Sequence, residues 1–234
     1  LTNLGSLLLN KGNRQEALSL LIKATESDPQ SAPAWGNLAN GYFQLGKTQE
    51  AKVACRKSID LNPNIFNSHF LLGTILLGQK RLKEAEQPLR KTIELNPQSA
   101  EAHLSLGNVL KDLGNLQEAA KSTRKAIEIK HDFVEAHYNL ANTLKKLGNS
   151  QEAELSYHKA IEIKPDYAEA HLNLGNMFRD LGKLKEAELS TRKAIELQPG
   201  FTQAAWHLYG LSNSMKEAEE RINQCLKIDK RHLQ

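Results

Sequence analysis

The alanines of six similar segments recur at one constant step, at Ala17, Ala51, Ala85, Ala119, Ala153 and Ala187, each preceded by a glutamate. Three further ladders share the step: Gly5, Ala39, Gly73, Gly107, Ala141 and Gly175; Pro29, Pro63, Pro97, Pro165 and Pro199, with His131 where one proline is missing; and Ala24, Ser58, Thr92, Ala126, Ala160 and Ala194. The period is 34 in all of them. Four ladders at one period do not arise by chance. A fixed period of this length means stacked supersecondary units, not a single globular core.

Each period reads as two helices. From Glu101 to Lys111 the apolar residues Ala102, Leu104, Leu106, Val109 and Leu110 suit one helical face. Gly114 follows where a left-handed helix end is needed. Leu116, Ala119, Ala120, Ala126, Ile127 and Ile129 suit a second helix over 116–129. Asn62-Pro63 and Asn96-Pro97 stop that helix, because the residue before proline is pushed out of the helical region. The small residues Gly107 and Ala119 fall where the two helices cross, and a leucine at either would overpack the crossing by about 1–3 kcal/mol.

The pattern resembles the tetratricopeptide repeat over nearly the whole chain. The slots that carry the resemblance are Leu106-Gly107, Ala119, Ala126 and the closing proline, with bulky residues at Trp35, Tyr42 and Tyr157. The resemblance implies an all-α, right-handed α-solenoid of stacked antiparallel helix pairs. The expected units form one array over 1–234: 1–31, entered partway through, then 32–65, 66–99, 100–133, 134–167, 168–201 and a degenerate 202–234. The last unit is short between its helices, and its charged second helix, Lys216 to Lys230, suits a polar solenoid end. Three departures predict irregularity: Pro88 inside a helix should distort it, His131 in place of proline should let its helix run further, and Lys80 in place of the turn glycine should disturb the second full repeat.

Little in the sequence suggests catalysis. It has no glycine-rich phosphate loop, no H-E-x-x-H and no nucleophile elbow. His69, His103, His137 and His171 recur at the same step, in the slot of Trp35. Equivalent residues of stacked helices are separated by about 8–10 Å or more, so one metal cannot hold two of them, and they read as half-buried packing residues. Neither a cofactor nor a metal is expected, and the chain reads as a non-enzyme. Cys55 and Cys225 read as packed thiols of a reducing compartment, which favours a cytoplasmic location, although the missing initiator Met makes the chain a candidate fragment. Its net charge is +4 with both signs interspersed, giving no electrostatic case for nucleic acid or an anionic membrane. No run of 18 apolar residues spans a bilayer.

The resemblance further implies that the first helices line a concave groove for an extended segment of another protein. Three slots at helical spacing form the stripe: Asn37, Asn139 and Asn173; then Asn40, Asn108, Asn142 and Asn176; then Phe43, Lys111, Lys145 and Arg179, with Tyr138 beside them. Asparagine is a poor helix former, so its recurrence has two readings: bonds between neighbouring helices, or a ladder of amides that matches a peptide backbone with a donor and an acceptor together. Segments such as Glu135–Asn142 and Glu169–Asn176 are similar to the asparagine-ladder repeats of the O-linked N-acetylglucosamine transferase, making the recognition arm of a larger enzyme one alternative. The carboxylate clamp of chaperone-binding repeats is incomplete, since its first lysine slot reads Thr2, Gly36, Phe70, Leu104, Tyr138, Leu172 and Trp206. The stripe is apolar early (Phe43, Phe70, Leu71, Leu77) and charged late, with Asp112, Asp180, Glu135 and Glu169 interleaved. A further alternative is end-to-end self-association through Leu1, Leu4, Leu7 and Leu8.

Overall fold

A computed structural model describes residues 1–211 and 216. Cys225 and, apart from Lys216, the closing helix expected over 216–230 lie outside the described residues. The described chain is helical, without strands, and its second helices begin at the constant step of the sequence ladders, at 14, 48, 82, 116, 150 and 184. No helix among the described residues is long and apolar enough to cross a membrane.

The chain forms two compact units, Leu1–His131 and one beginning at Asp132. The first holds four helix pairs: α1 (Thr2–Asn10) with α2 (Arg14–Ser27), α3 (Ala32–Gln44) with α4 (Thr48–Leu61), α5 (Phe66–Gly78) with α6 (Leu82–Leu95), and α7 (Ala100–Asp112) with α8 (Leu116–Ile129). Helices α1, α3, α5 and α7 lie in contact in that order, forming one helical layer. The core runs between the pairs, through Ala39, Cys55, Ile75, Leu89, Val109 and Leu110, all at most 2% exposed. Full burial of each larger apolar side chain is worth about 1.5–3 kcal/mol. The second unit holds α9 (Val134–Lys146), α10 (Ser150–Ile163), α11 (Ala168–Asp180), α12 (Leu184–Leu197) and a helix, α13, described over 202–211.

The crossings explain the small residues. A Cβ placed on Gly107 would lie 2.3 Å from Thr123 Oγ1, and one on Gly175 would lie 2.7 Å from Thr191 Oγ1. On Gly5 and Gly73 it would meet Leu21 Cγ and Leu89 Cγ, each at 2.7 Å. The residue at the facing position of the second helix decides the slot. Glycine faces leucine or threonine, whereas the same register puts Cys55 opposite Ala39 and Tyr157 opposite Ala141. An alanine methyl is thus accepted where the facing residue is cysteine or tyrosine.

The three predicted irregularities are absorbed. Helix α6 runs unbroken through Pro88, because Ala85 and Leu89 on either side are fully buried and proline removes a single amide donor. Helix α8 stops at Ile129, with Lys130 extended at φ −133°, ψ 95°. The His131 ring donates from Nδ1 to the Ile127 carbonyl at 2.8 Å, so the expected extension does not occur: the imidazole caps the end that proline closes elsewhere. Lys80 adopts φ 59°, the left-handed conformation that Gly46 and Gly114 adopt at φ 74° and 89°. Its turn keeps the regular bonds, Lys80 N–H to Leu77 O at 3.0 Å and Arg81 N–H to Leu76 O at 2.9 Å, at a steric cost of about 1–2 kcal/mol.

Three histidines of the series share a structural bond with Trp35. Trp35 Nε1 donates to the Pro29 carbonyl at 2.9 Å. His69, His103 and His171 place Nε2 on the carbonyls of Pro63, Pro97 and Pro165 at 2.8, 3.2 and 3.1 Å. A carbonyl only accepts, so each Nε2 carries a proton and reproduces the indole bond. Burial, partly offset by this bond, lowers the His103 and His171 pKa values below the usual range.

Candidate functional site

The stripe residues fall into separate surfaces on the two units. On the first, Asn37, Asn40 and Phe43 line a cavity of about 520 Å³ with Gly36, Phe70 and Leu71. Helices α3 and α5 supply its walls. Ser68, which also lines it, has its Oγ 2.7 Å from that of the buried Ser58, which donates to the Ala32 carbonyl at 2.8 Å. A Cβ at Gly36 would sit 2.9 Å from Ser68 Oγ, so glycine lets α3 approach the serine pair. Phe43 is 38% exposed at its rim. Asn108 and Lys111 do not line this cavity. They sit one turn apart on α7, where Asn108 Oδ1 is buried without a hydrogen-bond partner among the described residues and Lys111 Nζ approaches Asp112 at 4.0 Å.

In the second unit the amides are tied to a tyrosine cluster. Asn142 Oδ1 accepts from the Tyr157 phenol at 2.5 Å and from Asn173 Nδ2 at 3.1 Å. Asn173 Nδ2 also donates to Tyr138 Oη at 2.7 Å. The Tyr138 ring packs 6.2 Å from that of Tyr157 and 5.0 Å from that of Tyr167, centroid to centroid. Burial holds the Tyr157 phenol well above its ordinary pKa and pushes Tyr167 up to about 12. It raises the Tyr138 phenol as well, with Asn142 and Asn173 opposing. These hydroxyls therefore stay protonated and able to donate. The interhelix reading of the ladder holds for two asparagines, but not for all of their polar atoms. Asn173 Oδ1 takes part in none of these bonds. Asn139 lies on α9, where its carbonyl accepts from Thr143 Oγ1 at 2.8 Å.

Lys145, Asn176 and Arg179 come together at a second cavity, of about 490 Å³, completed by Gln203, Trp206 and His207 of α13. Asp180 bridges the two cations, 2.7 Å from Lys145 Nζ and 3.2 Å from an Arg179 guanidinium nitrogen. Burial opposes ionisation of Asp180, but these bonds prevail and hold its carboxyl below the usual range. Slot spacing alone puts Trp206 and His207 in the stripe, yet a search for lysine and asparagine passes over them. The unusual residue types at 206 and 207 are the available signal.

The family described as the cilia and flagella-associated protein 70 C-terminal domain matches residues 1–172, and the tetratricopeptide repeat matches residues 168–201. No curated protein matches the chain. Among solved structures, YrrB, described as a tetratricopeptide-repeat protein with an unusual peptide-binding site, is 23% identical; the match covers 79% of this chain and 95% of YrrB at a TM-score of 0.70. PilF of Pseudomonas aeruginosa is 22% identical, covering 91% of this chain and 95% of its own at a TM-score of 0.76. MamA is 25% identical, covering 71% and 97% at a TM-score of 0.66.

Proposed function

We propose that this chain, which belongs to the family of the cilia and flagella-associated protein 70 C-terminal domain and is built of tetratricopeptide repeats, is a non-enzymatic scaffold that holds an extended segment of another protein. The observation that carries the reading is the orientation of the Asn142–Asn173 pair. The tyrosine network occupies the oxygen of one amide and the nitrogen of the other. What remains is an acceptor, Asn173 Oδ1. A backbone N–H of a peptide is the complementary donor. Because the network fixes both amides beforehand, little side-chain entropy is lost on binding. The cavity at Phe43 suits an apolar side chain. The similarity of Glu135–Asn142 and Glu169–Asn176 to the ladder of the O-linked N-acetylglucosamine transferase supports the same mechanism.

The test is selection of binders from a displayed library of short random peptides. Selected peptides are then measured against the wild type and against Asn37→Ala with Asn176→Ala. Neither of these side chains holds a hydrogen bond within the described residues, so their loss leaves the fold intact. Each lost bond weakens binding by about 0.5–1.5 kcal/mol, and N-methylation of a contacted peptide amide does the same. Equal affinity of wild type and variant for every selected peptide refutes the ladder at Asn37 and Asn176, and unchanged affinity of every N-methylated peptide refutes it at Asn173.

A further inference from the structure

We infer that the cavity between α9, α11 and α13 is a carboxylate site in which binding of an acidic side chain draws a proton onto His207 Nε2. This deepens the peptide-scaffold reading and rests on it. The argument begins with Thr191. Its hydroxyl has one proton, and Thr191 Oγ1 sits 2.7 Å from the Ala187 carbonyl, which only accepts. That proton is therefore committed. Thr191 Oγ1 also lies 3.1 Å from His207 Nδ1, and with its proton committed it accepts there. Nδ1 must carry the ring proton, so in the neutral ring Nε2 is an acceptor. His207 is 9% exposed, and Nε2 is buried with no partner among the described residues. The ring lines the cavity of Lys145, Asn176, Arg179, Gln203 and Trp206.

The surroundings select an anion. Lys145 reaches the cavity from α9 and Arg179 from α11, and between them stands one carboxylate, Asp180. From α12 the ring meets the uncharged Thr191. Burial, then the charge of Arg179, holds His207 below the ordinary histidine pKa, with Asp180 opposing and Lys145 reinforcing. The empty site therefore keeps Nε2 unprotonated at neutral pH. Lysine has three donors and arginine five, so the pair can hold Asp180 and a second carboxylate together. An incoming carboxylate adds negative charge beside the ring and raises its pKa. A solvent proton then moves onto Nε2, which turns from an acceptor into a donor. Arg179 and Trp206 at the rim are exposed and free to move aside for the ligand. A cationic side chain would be repelled by Lys145 and Arg179, and a neutral amide would accept their bonds without the attraction between opposite charges.

The probe is an acetylated, amidated heptapeptide of glycine and serine with one central glutamate, compared with its glutamine counterpart. Binding is followed by chemical shifts of the His207 ring, and proton uptake by calorimetry in buffers of different ionisation enthalpy. The glutamate peptide is expected to bind at least about tenfold more tightly at pH 5.5 than at pH 7.5, with proton uptake approaching one at neutral pH and a limiting slope of about tenfold per pH unit. His207→Gln should remove both the uptake and the slope, and Arg179→Gln should weaken binding at every pH. Circular dichroism checks that each variant is folded, and the uptake by the wild type stands independently of any variant. If glutamate and glutamine peptides bind alike without uptake, the carboxylate site is overturned and the scaffold reading survives. If neither peptide binds while library peptides do, the same holds. If a glutamine peptide with a free C-terminal carboxylate binds as the glutamate peptide should, and the amidated glutamate peptide does not, the assignment to a side chain is overturned.

Discussion

Replacing Gly107 by alanine should destabilise the first unit, although alanine is the better helix former. In a helix interior the exchange gains about 1 kcal/mol of propensity. Here the added methyl would stand 2.3 Å from Thr123 Oγ1 and 3.2 Å from the Ala119 carbonyl. Thr123 cannot retreat: it is 1% exposed and donates to that carbonyl at 2.9 Å. Overpacking of this kind costs about 1–3 kcal/mol, and the loss of the threonine bond as the side chain turns away adds about 1 kcal/mol. The net expectation is a loss of about 1–3 kcal/mol in urea unfolding followed by circular dichroism. Thr123→Ala removes the obstructing oxygen, so Gly107→Ala should cost less in that background. The coupling between the two should be about 1–2 kcal/mol, as for residues in direct contact. The Ala119 carbonyl keeps the rescue partial. Strict additivity of the two substitutions, or a gain in stability from Gly107→Ala alone, would refute the crossing argument.

Other substitutions probe other parts of the chain. Lys80→Gly should stabilise by about 0.5–1 kcal/mol, since glycine relieves the left-handed strain and returns part of it as unfolded-chain entropy; a midpoint shift in urea measures it. Cys55 is fully buried and its thiol is pushed up to about 12 by desolvation, so it should resist alkylation in the native state. Because that pKa is raised, the group's stabilising effect is complete below about pH 8.5 and is lost between there and about pH 12, at up to about 1.4 kcal/mol per pH unit. Cys55→Ala should flatten that part of the stability profile. Asn142→Ala leaves the buried Tyr157 hydroxyl without its acceptor and should cost about 1–3 kcal/mol, whereas Asn176→Ala should be within about 0.5 kcal/mol of the wild type; equal thermal shifts would contradict the network.

The helix register was readable because it repeats. Alanines at a constant step fix where helices cross, and a crossing tolerates few residue types. The three misjudged positions share a different cause. Lys80, Pro88 and His131 each break a local preference, and the packing of neighbouring pairs outweighs it. His131 moreover substitutes a ring donor for a missing proline, a compensation that no periodicity shows. At the candidate site, slot spacing brought Asn37, Asn40 and Phe43 together, and likewise Lys145, Asn176 and Arg179. Which atom of each amide remains available could not be read, because that depends on Tyr138 and Tyr157 reaching across from other helices. The state of His207 was hidden for the same reason: a threonine hydroxyl on α12 decides which of its nitrogens carries the proton.

The pairing of each crossing slot with the residue it faces also constrains how such an array can change. Glycine facing threonine and alanine facing tyrosine are both sound, but they are separated by two substitutions. Enlarging the glycine first passes through a clash. Exchanging the branched residue first passes through a crossing that is merely looser. Neutral drift between the two states therefore has a preferred direction. A repeat shuffled into another position can travel only as a whole helix pair, which makes the pair the smallest part that recombination can move.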